Sequence, residues 1–179
     1  MKEILEEFEE MDLEMIFELV ESETVTCYEY YIDGCFDVNY QEVLDKEIER
    51  EKYIEIENRI LEFVNELREI SDVRGVTCIS TDSIKENFTA NNSTDYIKRI
   101  ELLEKEGKIN VKVNFSVNEV EVASIIALRG IGQTMFMFRK YELIIFLSDL
   151  HGMLLFYNDN NVKYIIEIAK RHGLVTSKI

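Results

Sequence analysis

The sequence contains no proline, and only three cysteines and two histidines occur among its 179 residues. Because no proline-rich linker is present, a domain boundary has to be read from glycine positions and changes of pattern. Cys27, Cys35 and Cys78 form no CxxC pair, and with only His151 and His172 to add, they cannot make a closely spaced Cys/His zinc site. We therefore predict three free core thiols, no bound metal and no cofactor.

A long apolar run and a basic leader are also missing. No stretch reaches the roughly 18 uncharged apolar residues that mark a transmembrane helix. The chain begins with Met1, Lys2 and Glu3 and continues acidic, whereas a secretory signal has a basic start followed by an apolar segment. These absences predict a cytoplasmic protein with no membrane partner.

Side-chain combinations that support catalysis are not evident either. Asp149 and His151 are the one carboxylate and imidazole that look paired, and no nucleophile or electrophile accompanies them. Residues 129–132 contain a lone GxG without the lysine and helix of a phosphate-binding loop. His172 falls at the end of a predicted helix, where it suits the helix dipole. We predict that the protein is not an enzyme.

Positive charge is scarce in the first two-fifths of the chain. Residues 1–70 hold 23 Asp and Glu against 6 Lys and Arg, whereas residues 71–179 hold 13 against 14. The first part therefore has a net charge of −17 and the second part has a net charge of +1, which together give the chain's net charge of −16. We predict an acidic region, residues 1–71, joined to a near-neutral region, residues 72–179. Such a field attracts basic surfaces and repels nucleic acid.

The acidic region is predicted to hold two helices and a small β-hairpin. Apolar residues recur at helical spacing over residues 2–22 and again from about 40 to 70. Between these segments, residues 25–32 and 35–38 are rich in Tyr, Val, Thr and Phe and flank the turn pair Asp33 and Gly34, which predicts the hairpin.

The second predicted helix carries an apolar seam at steps of three and four residues. Its members include Tyr53, Ile56, Ile60, Phe63 and Leu67. A heptad seam of this length can pack on a neighbouring helix or on a second copy of the chain. We expect it to be buried either by Ile4, Phe8 and Met15 of the first helix or in a homodimer.

Glutamates fill the other faces of that helix: Glu49, Glu51, Glu55, Glu57, Glu62, Glu66 and Glu69. These glutamates form either a solvated helix face or a binding surface. Solubility alone does not require basic residues to be so scarce, so both interpretations stand. Carboxylates on a rigid helix can imitate the phosphate spacing of a duplex, and charge complementarity speeds encounter with a basic partner. The predicted partner-binding residues are Glu51, Glu55, Glu62, Glu66 and Glu69.

The segment from about residue 76 to 128 follows a different order. It comprises a strand at 76–79, helices at 82–88 and 93–106 with Gly107 at the second helix's end, a strand at 109–115, a turn at 116–119 and a second strand at 120–128. This order resembles a winged helix-turn-helix unit. The resemblance implies a DNA-binding regulator in which Lys98, Arg99, Lys108 and Lys112 contact phosphate.

The last third is predicted to form antiparallel strands at 135–139, 143–147 and 153–157, followed by a helix that Asn160 caps. The predicted fold class is thus α+β, with acidic N-terminal helices and a small β-hairpin, a central winged-helix-like unit, and C-terminal antiparallel strands covered by a helix.

The charge pattern favours one function over the other. We expect a non-enzymatic inhibitor or interaction protein that binds a nuclease, a toxin or another nucleic-acid-binding effector, as bacterial immunity proteins and phage-encoded anti-defence inhibitors do. The alternative is the winged-helix transcriptional regulator. Direct DNA binding is not expected, because a few basic contacts cannot offset the acidic region.

Overall fold

The computed structural model describes residues 6, 8–10, 28–33, 47–70, 72–79, 94–148, 150–157 and 159–178. The predicted α+β class is confirmed, with helices packed on an antiparallel sheet. The strands are β1 (Tyr28–Asp33), β2 (Val73–Ile79), β3 (Val113–Asn114), β4 (Gly132–Phe138), β5 (Leu143–Ser148), β6 (His151–Phe156) and β7 (Val175–Lys178). The helices are α1 (Glu47–Ile70), α2 (Thr94–Lys105), α3 (Val117–Leu128) and α4 (Val162–Arg171).

The sheet has seven strands in the order β3-β2-β4-β5-β6-β1-β7, and every neighbouring pair is antiparallel. The three C-terminal strands that the sequence predicts are present as β4, β5 and β6. Strand β1 comes from the acidic region and lies between β6 and β7. The predicted hairpin between β1 and residues 35–38 is wrong, because β6 and β7 occupy both edges of Tyr30–Asp33. Residues 35–38 themselves lie outside the described part of the chain.

Helix α3 stands where the sequence predicted the second strand of the wing, at residues 120–128. The residues from Val122 to Leu128 are all buried, so this part of α3 has no solvent-exposed face. A helix that is apolar on all sides is stable only when it is enclosed, and α3 is enclosed by the sheet, α1 and α2. An apolar run of this kind is compatible with a buried helix or with a buried strand, and periodicity alone does not separate the two. Glu119 accepts a 2.7 Å hydrogen bond from the Ser116 amide and fixes the helix start.

Helix α1 buries its apolar seam in the main core, which it shares with α3, α4 and one sheet face. The five seam residues are between 0 and 3% exposed within the single chain: Tyr53, Ile56, Ile60, Phe63 and Leu67. The predicted homodimer through this seam is therefore wrong, because the chain's own core covers it. Packing on the first helix is also not observed, since Phe8 belongs to a different cluster and Ile4 and Met15 lie outside the described residues.

The opposite sheet face forms a second cluster, and Phe8 from a short helical stretch is fully buried against it. The sheet contributes Val76, Met135, Met137, Ile144, Phe146, Met153 and Leu155. Next to Phe8, Glu9 pairs with Arg74, and its carbonyl accepts a 2.6 Å hydrogen bond from Lys112. The start of the chain thus covers part of this face.

The rest of the predicted winged-helix unit is only partly present. Helix α2 ends as predicted, with Gly107 at φ +67° in the left-handed region. The first wing strand is reduced to β3, two residues long, because Asn110 turns back on β2 and accepts a hydrogen bond from the Ile79 amide at 3.1 Å. With α3 in place of the second wing strand, no wing hairpin forms within residues 94–128. Residues 82–88 lie outside the described residues.

Candidate partner-binding surface

The solvent side of α1 carries four exposed glutamates, which we call the acidic face: Glu51, Glu55, Glu62 and Glu69. Their spacing of four, seven and seven residues keeps them on one side of the helix, and it spreads the carboxylates over about 27 Å at 1.5 Å per residue. The buried seam lies on the other side, so the same heptad period that fills the core also aligns these charges. The structure thus groups four of the five predicted partner-binding residues as exposed neighbours.

Glu66, the fifth predicted residue, is tied to helix α4. Its side chain is 29% exposed, and its carboxylate pairs with Arg171 and with His172 Nε2, the latter at 2.8 Å. Glu62 Oε2 lies 3.4 Å from His172 Nδ1, but 67% of the Glu62 side chain remains exposed. His172 ends α4 as predicted, and its position joins α4 to α1. Glu66 is therefore a structural contact more than a free surface charge.

Cations on α1 offset part of the acidic face. Arg59 pairs with Glu55 at 2.6 Å one helical turn away, with both side chains well exposed. Such an exposed pair contributes about 0.3–0.5 kcal/mol to stability and is readily broken by a competing partner. Lys52 is also exposed on this helix. The acidic face nevertheless keeps Glu51 and Glu69, for which no ion pair occurs among the described residues.

Glu57 does not belong to the surface, although the sequence analysis placed it with the other glutamates. Its side chain is 3% exposed, and both carboxylate oxygens accept hydrogen bonds from Arg129, at 2.6 Å and 2.8 Å. A signal for this was present, because Glu57 lies four residues after Tyr53 and three before Ile60, on the buried side of the helix. The arginine partner, 72 residues away, had no such signal.

The basic residues of the alternative function are mostly engaged inside the chain. Arg99 pairs with Glu121 at 3.2 Å, and Lys112 lies over the Phe8 ring with its Nζ 5.4 Å from the ring centre. Lys98 is exposed on α2. The fourth, Lys108, pairs with Glu106 at 2.7 Å and also with Glu119. Three of the four predicted phosphate contacts therefore hold parts of the fold together.

The ionisation of the Lys108 pair follows from these contacts. Hydrogen bonding to Glu106, then to Glu119, raises the pKa of Lys108. Burial opposes ionisation of Glu119, but hydrogen bonds from Lys108 and Ser116 outweigh it, so the pKa of Glu119 lies below its ordinary value. Both groups stay charged at neutral pH and stabilise the start of α3.

The residues considered for catalysis or metal binding form no such site in the described structure. His151 is half-buried at the start of β6, and Asp149 lies outside the described residues. Cys78 is half-buried and free, and burial raises the pKa of its thiol, which disfavours the reactive thiolate. Cys27 and Cys35 lie outside the described residues. Within the described ranges, no cluster of three or more His, Cys, Asp and Glu side chains is placed to hold a metal ion.

Sequence reasoning missed a group of three arginines, Arg68, Arg74 and Arg139, that line one cleft. Arg68 lies in α1, Arg74 lies in β2 and Arg139 directly follows β4, and only the tertiary fold brings them together.

Comparisons with protein-family models, with curated proteins and with solved structures found no match for this chain. Among the helices in the described ranges, none is long and apolar enough to span a bilayer.

Proposed function

We propose that this protein is a non-enzymatic interaction protein of the cytoplasm, whose acidic face occupies a basic, nucleic-acid-binding surface of another protein and inhibits it. The observation that carries the proposal is the alignment of Glu51, Glu55, Glu62 and Glu69 on the exposed side of one long helix. A nuclease, a toxin or another nucleic-acid-binding effector has the complementary charge.

The buried side of α1 makes this charge array rigid. Tyr53 donates a hydrogen bond to the Leu128 carbonyl, Glu57 binds Arg129, and Phe63 is fully buried in the main core. Rigid presentation reduces the conformational entropy that a binding surface loses on association. The glutamates need only fix their own side chains when a partner binds.

The charge balance also supports a basic partner. Exposed charges are screened over about 10 Å at 0.1 M salt, which is less than half the length of the acidic face. Each part of the face therefore acts locally on a partner's basic groups, and the binding rate should fall steeply as salt rises.

The winged-helix regulator is less well supported. Arg99, Lys108 and Lys112 would have to leave intrachain partners before they could bind phosphate. Each such exchange costs part of the binding free energy, and the net charge of −16 adds repulsion from nucleic acid.

The test compares two triple variants with the same charge change. Glu51→Lys/Glu62→Lys/Glu69→Lys alters the acidic face, and Glu101→Lys/Glu104→Lys/Glu167→Lys alters exposed glutamates of α2 and α4. Each reversal adds two charges, so both variants have a net charge of −10 in place of −16. Exposed substitutions of this kind cost up to about 0.5 kcal/mol each, so both should fold.

Partner capture from a lysate, followed by competition between the captured partner and labelled duplex, gives the readout. The wild type and the α2/α4 variant should capture the partner and displace it from the duplex, whereas the α1 variant should do neither. Equal capture by both triple variants would show that the acidic face only keeps the protein in solution.

A further inference from the structure

A cleft of about 560 Å³ lies where the end of α1, the start of β2, the start of α3 and the end of β4 meet. Arg68, Arg74 and Arg139 line it, and Asp72 is the one carboxylate among the described lining residues. In a chain with a net charge of −16, this local excess of cations is the reverse of the overall trend. We call this site the arginine cleft.

Arg74 already holds a carboxylate. Its Nη2 lies 3.2 Å from Glu9 Oε2, and its Nε pairs with the second oxygen of the same group. The hydrogen bonds from Arg74 outweigh partial burial, so the pKa of Glu9 lies below its ordinary value. One guanidinium of the cleft thus binds an oxyanion in the two-pronged manner that suits arginine.

The other two arginines of the cleft are Arg68 and Arg139. The Nε of Arg68 is buried and has no hydrogen-bond partner among the described residues, and the Arg139 side chain is exposed. Neither forms an ion pair with any described residue. A buried donor without a partner costs free energy, and such costs are retained at sites where function depends on them.

We propose that the arginine cleft binds a small molecule bearing a phosphate or carboxylate group, which Arg68 and Arg139 hold. The guanidinium group donates two parallel hydrogen bonds to either anion. Ser116 and Val117, at the start of α3, also line the cleft. The volume is in the range of about 300–1,000 Å³ that small-molecule sites occupy. This site is separate from the acidic face and does not depend on the proposed function.

The cleft walls suggest suitable probes. Val73, Phe115 and Met137 supply apolar surface beside the arginines, so an aromatic ring with one anionic group matches the lining. Phenyl phosphate and benzoate share the ring and differ in the anion, and benzyl alcohol is the neutral control. Calorimetric titration of the full chain at fixed ionic strength should show saturable binding of at least one of the two anions and none of the alcohol. The tighter-bound probe distinguishes a phosphate ligand from a carboxylate ligand.

Variants locate the binding. Arg68→Gln and Arg139→Gln should each lower the affinity for the bound probe by at least about tenfold, since hydrogen bonds to charged groups contribute that much binding free energy. Lys98→Gln removes one exposed positive charge from α2 and should leave the affinity unchanged. Arg68→Gln should not lower the Tm, because its Nε has no partner to lose. If Arg68→Gln fails to fold, the loss of affinity in Arg139→Gln, whose side chain is exposed, tests the proposal by itself.

The proposal is overturned if neither anion binds saturably, if benzyl alcohol binds as tightly as the anions, or if both arginine variants bind like the wild type.

Discussion

The buried ion pair between Glu57 and Arg129 provides the sharpest test of how this fold is held together. Glu57 lies in the middle of α1, and Arg129 ends α3 with a φ of −95°. Their bidentate contact, at 2.6 Å and 2.8 Å, joins the two central helices where the side chains are 3% and 8% exposed. Replacing Glu57 by Leu removes the carboxylate and leaves the guanidinium charge in place.

The expected cost is large because the remaining charge stays buried. Breaking a buried pair by removing one partner destabilises a protein by about 3–5 kcal/mol. Domains of this kind have an unfolding free energy of about 5–15 kcal/mol in total. The single substitution should therefore remove about a fifth or more of the stability. Replacing both members, as Glu57→Leu/Arg129→Met, should recover most of it, because a buried pair is often worth no more than well-packed apolar residues.

Urea unfolding followed by circular dichroism measures these free energies. The matched control is Glu55→Leu, which removes an exposed carboxylate two residues away and breaks only the Arg59 pair. That control should change stability by about 0.5 kcal/mol or less. If Glu57→Leu costs no more than Glu55→Leu, or if the double variant is as unstable as the single one, the reasoning about burial is refuted.

Three further outcomes are expected. Gly75→Ala should destabilise the protein by about 1–3 kcal/mol in the same urea assay, because a Cβ would lie 2.7 Å from both the Met135 carbonyl oxygen and the Phe115 ring; wild-type stability would contradict this. The Glu9–Arg74 pair should stabilise the protein above the ordinary Glu pKa of 4.5 and cease to do so as pH falls through the lower pKa of the folded state. The Tm difference between the wild type and Arg74→Gln should therefore shrink from about pH 6 to about pH 3, and a pH-independent difference would show that the pair's charge is not involved. Finally, the wild type should not retard duplex DNA at physiological salt, because Arg99, Lys108 and Lys112 are engaged within the chain; a sequence-selective gel shift would instead favour the regulator.

Local pattern was sufficient for α1, which is buried on one side, and for β5 and β6, which are short apolar runs buried on both faces. The spacing of Tyr53, Ile60 and Leu67 predicted the buried side of α1, and the apolar runs at residues 143–147 and 153–157 predicted β5 and β6. The same spacing placed Glu51, Glu62 and Glu69 on the exposed side. For α1 the helical period carries the information, and for β5 and β6 the short length and apolar character of the run do; neither signal needs knowledge of the partner element.

Tertiary structure decided what covers each face. Residues 120–128 are apolar except for Glu121 and Ser124, so their conformation depends on being enclosed by three neighbours, which a local pattern cannot reveal. The position of strand β1 in the sheet was likewise decided by tertiary structure, because its hydrogen-bonding partners, β6 and β7, lie more than 100 residues away in sequence.

Charges depend on the fold in the same way. The sequence determined that residues 1–70 are acidic, but it did not determine that Glu57 is neutralised by Arg129, that Glu66 is tied to α4, or that three arginines share one cleft. Electrostatic interactions act through space over a few ångströms, so a charge pairs with whatever residue the packed core places beside it, however distant that residue is along the chain.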